Sequence, residues 1–72
     1  MTEDEAIATA RTVAQKEQWV WLEPARATQF RRWPLGATYW RVISNANERG
    51  RNVTVTIDDA SCAVVQANFA PR

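Results

Sequence analysis

The stretch Asn52-Val53-Thr54-Val55-Thr56-Ile57 decides the fold class. In an extended chain Val53, Val55 and Ile57 fall on one side, and Asn52, Thr54 and Thr56 on the other. This period of two, written largely in β-branched residues, predicts a strand with one buried and one wetted face. Such a strand is unstable alone. The flanking sequence must supply neighbours to pair with it and something apolar to cover it.

The neighbours are close on both sides. Asp58-Asp59-Ala60-Ser61 reads as a turn. Beyond it Ala63, Val65, Ala67 and Phe69 are expected on one face, with Val64, Gln66 and Asn68 opposite. Upstream, Asn45-Ala46-Asn47-Glu48-Arg49-Gly50 is rich in residues that tolerate positive φ and predicts a hairpin loop. Tyr39-Trp40-Arg41-Val42-Ile43-Ser44 before it predicts another strand. Short connections make these strands an antiparallel meander. Trp33-Pro34-Leu35-Gly36 carries the punctuation of a turn. Trp19-Val20-Trp21-Leu22 has strand composition, and Pro24 marks its edge, bulge or end. Residues 25–33 stay open between an extended continuation after a kink and no strand at all.

The cover lies at the N-terminal end. Thr2-Glu3-Asp4-Glu5 has the form of a capping box, and its acids suit the positive end of a helix dipole. Ala6, Ile7, Ala10, Val13 and Ala14 then recur at spacings of three and four, predicting a helix from Thr2 to Gln18. Its alanine-rich stripe lets a sheet approach closely. The expected fold is a single α+β domain over residues 1–72: an N-terminal helix packed on one face of a curved, three- to four-stranded antiparallel sheet.

Composition narrows the chemistry. Histidine is absent, which removes the usual general base near neutral pH and the Ser-His and Cys-His nucleophile pairs. Cys62 is the only cysteine, so no internal disulfide forms and a zinc site lacks ligands. No catalytic residue, metal site or cofactor is expected, and the chain does not read as an enzyme. Asp58 and Asp59 are adjacent and point to opposite faces of a strand, which suits a turn better than acid/base work. Asn52-Val53-Thr54 fits a glycosylation sequon formally, but it sits within a strand. An acidic start, a single cysteine and no long apolar run point to the cytoplasm and away from the membrane.

Net charge is +1, unevenly spread. Residues 1–24 set Glu3, Asp4, Glu5, Glu17 and Glu23 against Arg11 and Lys16. Residues 25–72 set seven arginines against Glu48, Asp58 and Asp59. Two groups of residues stand out as candidate partner-binding residues. One is the tryptophans Trp19, Trp21, Trp33 and Trp40, which either fill the thin core of so small a chain or form an aromatic patch for a partner. The other is Arg31, Arg32 and Arg41, which with Arg26 are interleaved with Phe30, Trp33, Tyr39 and Trp40. Such a face can be merely solvated, or it can stack bases and hold phosphates. The small net charge disfavours nucleic acid as a partner.

Thr2-Glu3-Asp4-Glu5-Ala6-Ile7-Ala8-Thr9-Ala10, then Tyr39-Trp40-Arg41-Val42, then Val53-Thr54-Val55-Thr56-Ile57-Asp58 and Val64 together resemble a PepSY-type domain. The glycine of that family's "TG" turn is replaced here, because the turn falls on Ser61-Cys62. Trp40, Gly50, Asn52–Asp58 and Phe69–Arg72 are also similar to small bacterial cystatin-like or NTF2-fold immunity proteins. Both resemblances imply a helix cradled by a sheet, and binding or inhibition of another protein. Neither transfers a functional residue. The expected function is a small protein-binding module of inhibitor or immunity type. The alternative is a weak single-stranded nucleic-acid binder using the Arg/aromatic face. An exposed edge strand would also offer a route to a homodimer, with Pro24 and Pro71 as guards.

Overall fold

In the computed structural model, which describes residues 1–32 and 36–71, Thr2 starts helix α1 (Glu3–Glu17) as its sequence requires. The Glu5 amide donates to the Thr2 hydroxyl at 3.2 Å, and the Thr2 amide donates to Glu5 Oε1 at 2.7 Å, so both arms of the capping box are made. Hydrogen bonding to the Glu5 carboxyl, first from the Thr2 backbone amide and then from the Thr2 side chain, holds it below its ordinary pKa. At the other end Gln18 turns left-handed (φ 62°), and the Trp19 amide donates to the Ala14 carbonyl at 2.8 Å.

Four strands follow: β1 (Arg26–Arg32), β2 (Ala37–Ile43), β3 (Asn52–Asp58) and β4 (Val64–Ala70). They form one antiparallel sheet in the order β1-β2-β3-β4. The expected α+β class holds, and the sheet has four strands. Residues 26–32, left open by sequence, are β1.

The helix lies across β1, β2 and β3. Ala6, Ala10 and Ala14 are fully buried against Val42, Val53, Val55 and Ile57, which are also fully buried. Each valine or isoleucine side chain so removed from water contributes about 1.5–3 kcal/mol of gross stabilisation, and each alanine methyl less. Alanine on the helix leaves room for branched residues on the sheet. Trp19, Trp21, Trp40 and Phe69 extend this core as half-buried aromatics.

Three expectations need correction. Trp19–Leu22 is not a strand. The chain crosses the end of the sheet there, from Trp19 stacked on Phe69 of β4 to the start of β1. Its backbone docks on the β2–β3 loop, with the Asn45 amide donating to the Leu22 carbonyl at 2.7 Å and the Ala46 amide to the Pro24 carbonyl at 2.9 Å. A segment running across the strand direction cannot join the ladder, whatever its composition. The Glu23–Pro24 peptide is cis.

The second correction is in β4. Thr56 lies opposite Gln66 but Ile57 opposite Val64, so Val65 is an extra residue in a bulge. Val64, not Val65, therefore comes opposite the helix-facing Ile57. The third is Asn52, expected on the wet face with Thr54 and Thr56 but only 8% exposed. Its amide nitrogen donates to the carbonyls of Ser44, Asn45 and Glu48, and its oxygen accepts from the Gly50 amide at 2.8 Å. The loop folds over Asn52 and uses it as a polar post. Gly50 (φ 93°), Arg51 (φ 53°) and Asn45 (φ 50°) supply the left-handed turns.

Candidate binding groove on the open face of the sheet

The strand period that buries Val42 and Ile57 sends the alternate residues to the face away from α1. Phe30 of β1 pairs with Tyr39 of β2; Arg41 of β2 pairs with Thr56 of β3; Thr56 pairs with Gln66 of β4. The Phe30 and Tyr39 rings stack with centroids 5.6 Å apart and planes at 25°. The Arg41 guanidinium lies over the Phe30 ring, 4.8 Å from its centroid. Around them lies a depression of about 470 Å³, lined by Phe30, Arg31, Arg32, Tyr39, Arg41, Thr56, Val65 and Gln66. The bulge at Val65 brings that side chain to the rim.

Arg32 and Arg41 share the parity of Phe30 and Tyr39 on this surface, and Arg31, of the opposite parity, borders the depression from the β1 edge. The ion pairs among the described residues involve none of them. The nearest acid in register, Asp58 opposite Tyr39, accepts from the Ala60 and Ser61 amides of its own turn. Chemically the groove offers charge-bearing donors, two aromatic rings, the hydroxyls of Tyr39 and Thr56 and the Gln66 amide. It suits an anion carried on a chain with apolar or planar groups.

The tryptophans lie elsewhere. Trp40 faces the core, and its indole N–H donates to Asp59 Oδ1 at 2.7 Å. Trp19 stacks on Phe69 at 6.0 Å. The Trp21 indole N–H donates to Glu23 Oε2 at 2.6 Å, and Arg11 reaches the same oxygen at 3.1 Å. The Trp21 bond, and after it Arg11, holds the Glu23 carboxyl below its ordinary pKa. Trp33, Pro34 and Leu35 of the turn expected at residues 33–36 lie outside the described residues. Of the residues singled out by sequence, the structure brings Arg31, Arg32 and Arg41 together and sets Trp19, Trp21 and Trp40 apart from them, against the core. Sequence reasoning set Phe30 and Tyr39 among the arginines of one basic-aromatic face without naming them as binding residues, and it did not single out Thr56, Val65 or Gln66. The signal for the first two was present: Phe30 is two residues from Arg32, and Tyr39 two from Arg41, so each pair shares a face once both segments are strands.

No group of three or more His, Cys, Asp or Glu residues suited to a metal occurs among the described residues. No described helix is long and apolar enough to cross a membrane. No protein-family model, curated protein or solved structure matches the chain.

Proposed function

We propose that this domain is a non-catalytic protein-binding module, and that the open face of its sheet receives an acidic segment of another protein. The observation that carries this reading is the pair Arg32 and Arg41 on the face of the stacked Phe30–Tyr39 rings, with Arg31 bordering the same depression and no carboxylate of the described chain engaging any of the three. Arginine forks bind carboxylates bidentately, and the neighbouring rings hold the apolar stems between them. The helix-then-meander layout agrees with the PepSY-like and cystatin-like resemblances, and an inhibitor or immunity role is the specific form they suggest. A cytoplasmic setting suits a chain whose one cysteine, Cys62, is exposed and unpaired.

Single-stranded nucleic acid is the second reading, because aromatics on adjacent strands with arginines between them also form a base-stacking platform. It ranks lower for two reasons. Arg41 and Tyr39 already occupy the faces of Phe30, and both rings are half-buried. The net charge is only +1.

NMR titration with Glu- and Asp-rich peptides and, in parallel, with single-stranded oligonucleotides separates the readings. Peptide-induced shifts centred on Phe30, Arg32, Tyr39 and Arg41, lost in Arg32→Gln/Arg41→Gln, are the expected result. Tighter binding of the oligonucleotide would replace the first reading with the second. Silence from both ligands up to millimolar concentration would remove the groove as a site.

A further inference from the structure

The sheet has two edges, and they are built differently. β1 reads Arg26-Ala27-Thr28-Gln29-Phe30-Arg31-Arg32 and is guarded by three guanidiniums. β4 reads Val64-Val65-Gln66-Ala67-Asn68-Phe69-Ala70, with no charge, proline or glycine. Val64 and Val65 are 40% and 55% exposed. An uncharged edge strand presents unpaired backbone donors and acceptors with no charge to repel an incoming strand, and Pro71, the guard expected from sequence, lies one residue past its end.

We infer that β4 pairs antiparallel with β4 of a second copy of this chain, about a twofold axis at Asn68. The bulge at Val65 interrupts the regular ladder, which leaves Gln66–Ala70 as the pairing segment and Asn68 as its midpoint. In that register Asn68 faces Asn68 of the second copy, two amides that can exchange hydrogen bonds. On the helix side Ala67 faces Phe69 in both directions, a small residue beside a large one. On the open side Gln66 faces Ala70. No charge meets a like charge. The same operation at the other edge, centred on Gln29, would set Arg26 against Arg32 twice, and like charges directly opposite are destabilising. The occupant is therefore a second copy at β4 and not at β1.

An axis normal to the sheet keeps both helices on one side. The product is an eight-stranded sheet whose two Arg/aromatic grooves share one open face. The pairing rests on the backbone edge of β4 and not on the nature of the groove ligand, although Gln66 belongs to both surfaces.

Sedimentation equilibrium from low micromolar to millimolar concentration tests it. The mass should rise from the 8.2 kDa of one chain and level at twice that value. Asn68→Lys puts two lysines at the axis and should hold the protein monomeric, whereas Gln29→Lys on β1 should leave the dimer intact. Asn68→Asp, nearly isosteric, gives the same like-charge contact should the lysine variant fail to fold. A monomeric mass at millimolar concentration overturns the inference. So does a dimer that persists in folded Asn68→Asp, a dimer broken by Gln29→Lys, or growth past two copies by β1-to-β4 addition.

Discussion

The two faces of the sheet are made by one alternation yet perform different work. On the helix side Val42, Val53, Val55 and Ile57 meet Ala6, Ala10 and Ala14, and every one of these side chains is fully buried. On the open side Arg32, Arg41, Phe30 and Tyr39 are exposed or half-buried, and the arginines serve no ion pair among the described residues. Stability is concentrated on one side, so substitutions on the other are free to serve recognition. In a chain of 72 residues that separation matters, because a small domain has little stability to spare.

Substitutions across the sheet should show this separation most strongly. Ile57→Ala removes a fully buried side chain and should cost about 2–5 kcal/mol, read by urea unfolding. Arg32→Gln, on an exposed residue of the same sheet, should stay within about 0.5 kcal/mol of the parent while weakening any acidic ligand. A large loss of stability in Arg32→Gln would break the division of labour.

Asn52 tests where the division ends, because strand parity puts it on the open side and the loop buries it. Asn52→Ala leaves the Gly50 amide and the carbonyls around it without their partner, and should cost about 1–3 kcal/mol. Thr54→Ala, two residues on, should cost less. Equal effects would mean that the loop does not depend on its post.

A smaller gain is expected at Cys62, which holds φ 61° in the β3–β4 turn, a backbone conformation that favours glycine. Cys62→Gly should raise stability by up to about 1 kcal/mol in the same unfolding experiment. Cys62 does not line the groove, so groove binding should not change.

The smallest effect is acid sensitivity, and it belongs to the helix and the segment that follows it. Hydrogen bonds to the ionised carboxyls lower the folded-state pKa values of Glu5 and Glu23. Their stabilising contribution is complete above the unfolded glutamate value of about 4.3 and fades as pH falls through the lower folded values. Urea midpoints between pH 6 and 3 should decline less steeply in Glu5→Gln than in the parent. Arg32→Gln should follow the parent slope, because arginine does not titrate in that range.

Local signals were legible where one residue pattern suffices. The capping box, the alanine stripe and the alternation of Val53, Val55 and Ile57 each specify their element from within it. The segments misread were those whose state depends on distant partners. Trp19–Leu22 has better strand composition than Arg26–Arg32, yet only the second lies alongside β2. The groove became visible only with β1 in place, because Phe30 meets Tyr39, and Arg41 reaches the Phe30 ring, across a strand boundary.

The sequence by itself determined that this chain has one helix, an antiparallel meander and a basic-aromatic second half. Those follow from periodicity, capping and composition, which act within a few residues. Tertiary structure alone decided which apolar segment joins the sheet, which residue bulges from β4 and that Asn52 is buried. It also decided that Arg32 and Arg41 share a face with one pair of rings, with Arg31 at the border of the same depression, while Trp19, Trp21 and Trp40 pack against the core. Each of these depends on registry between strands far apart in sequence, and registry is settled by the whole buried face at once.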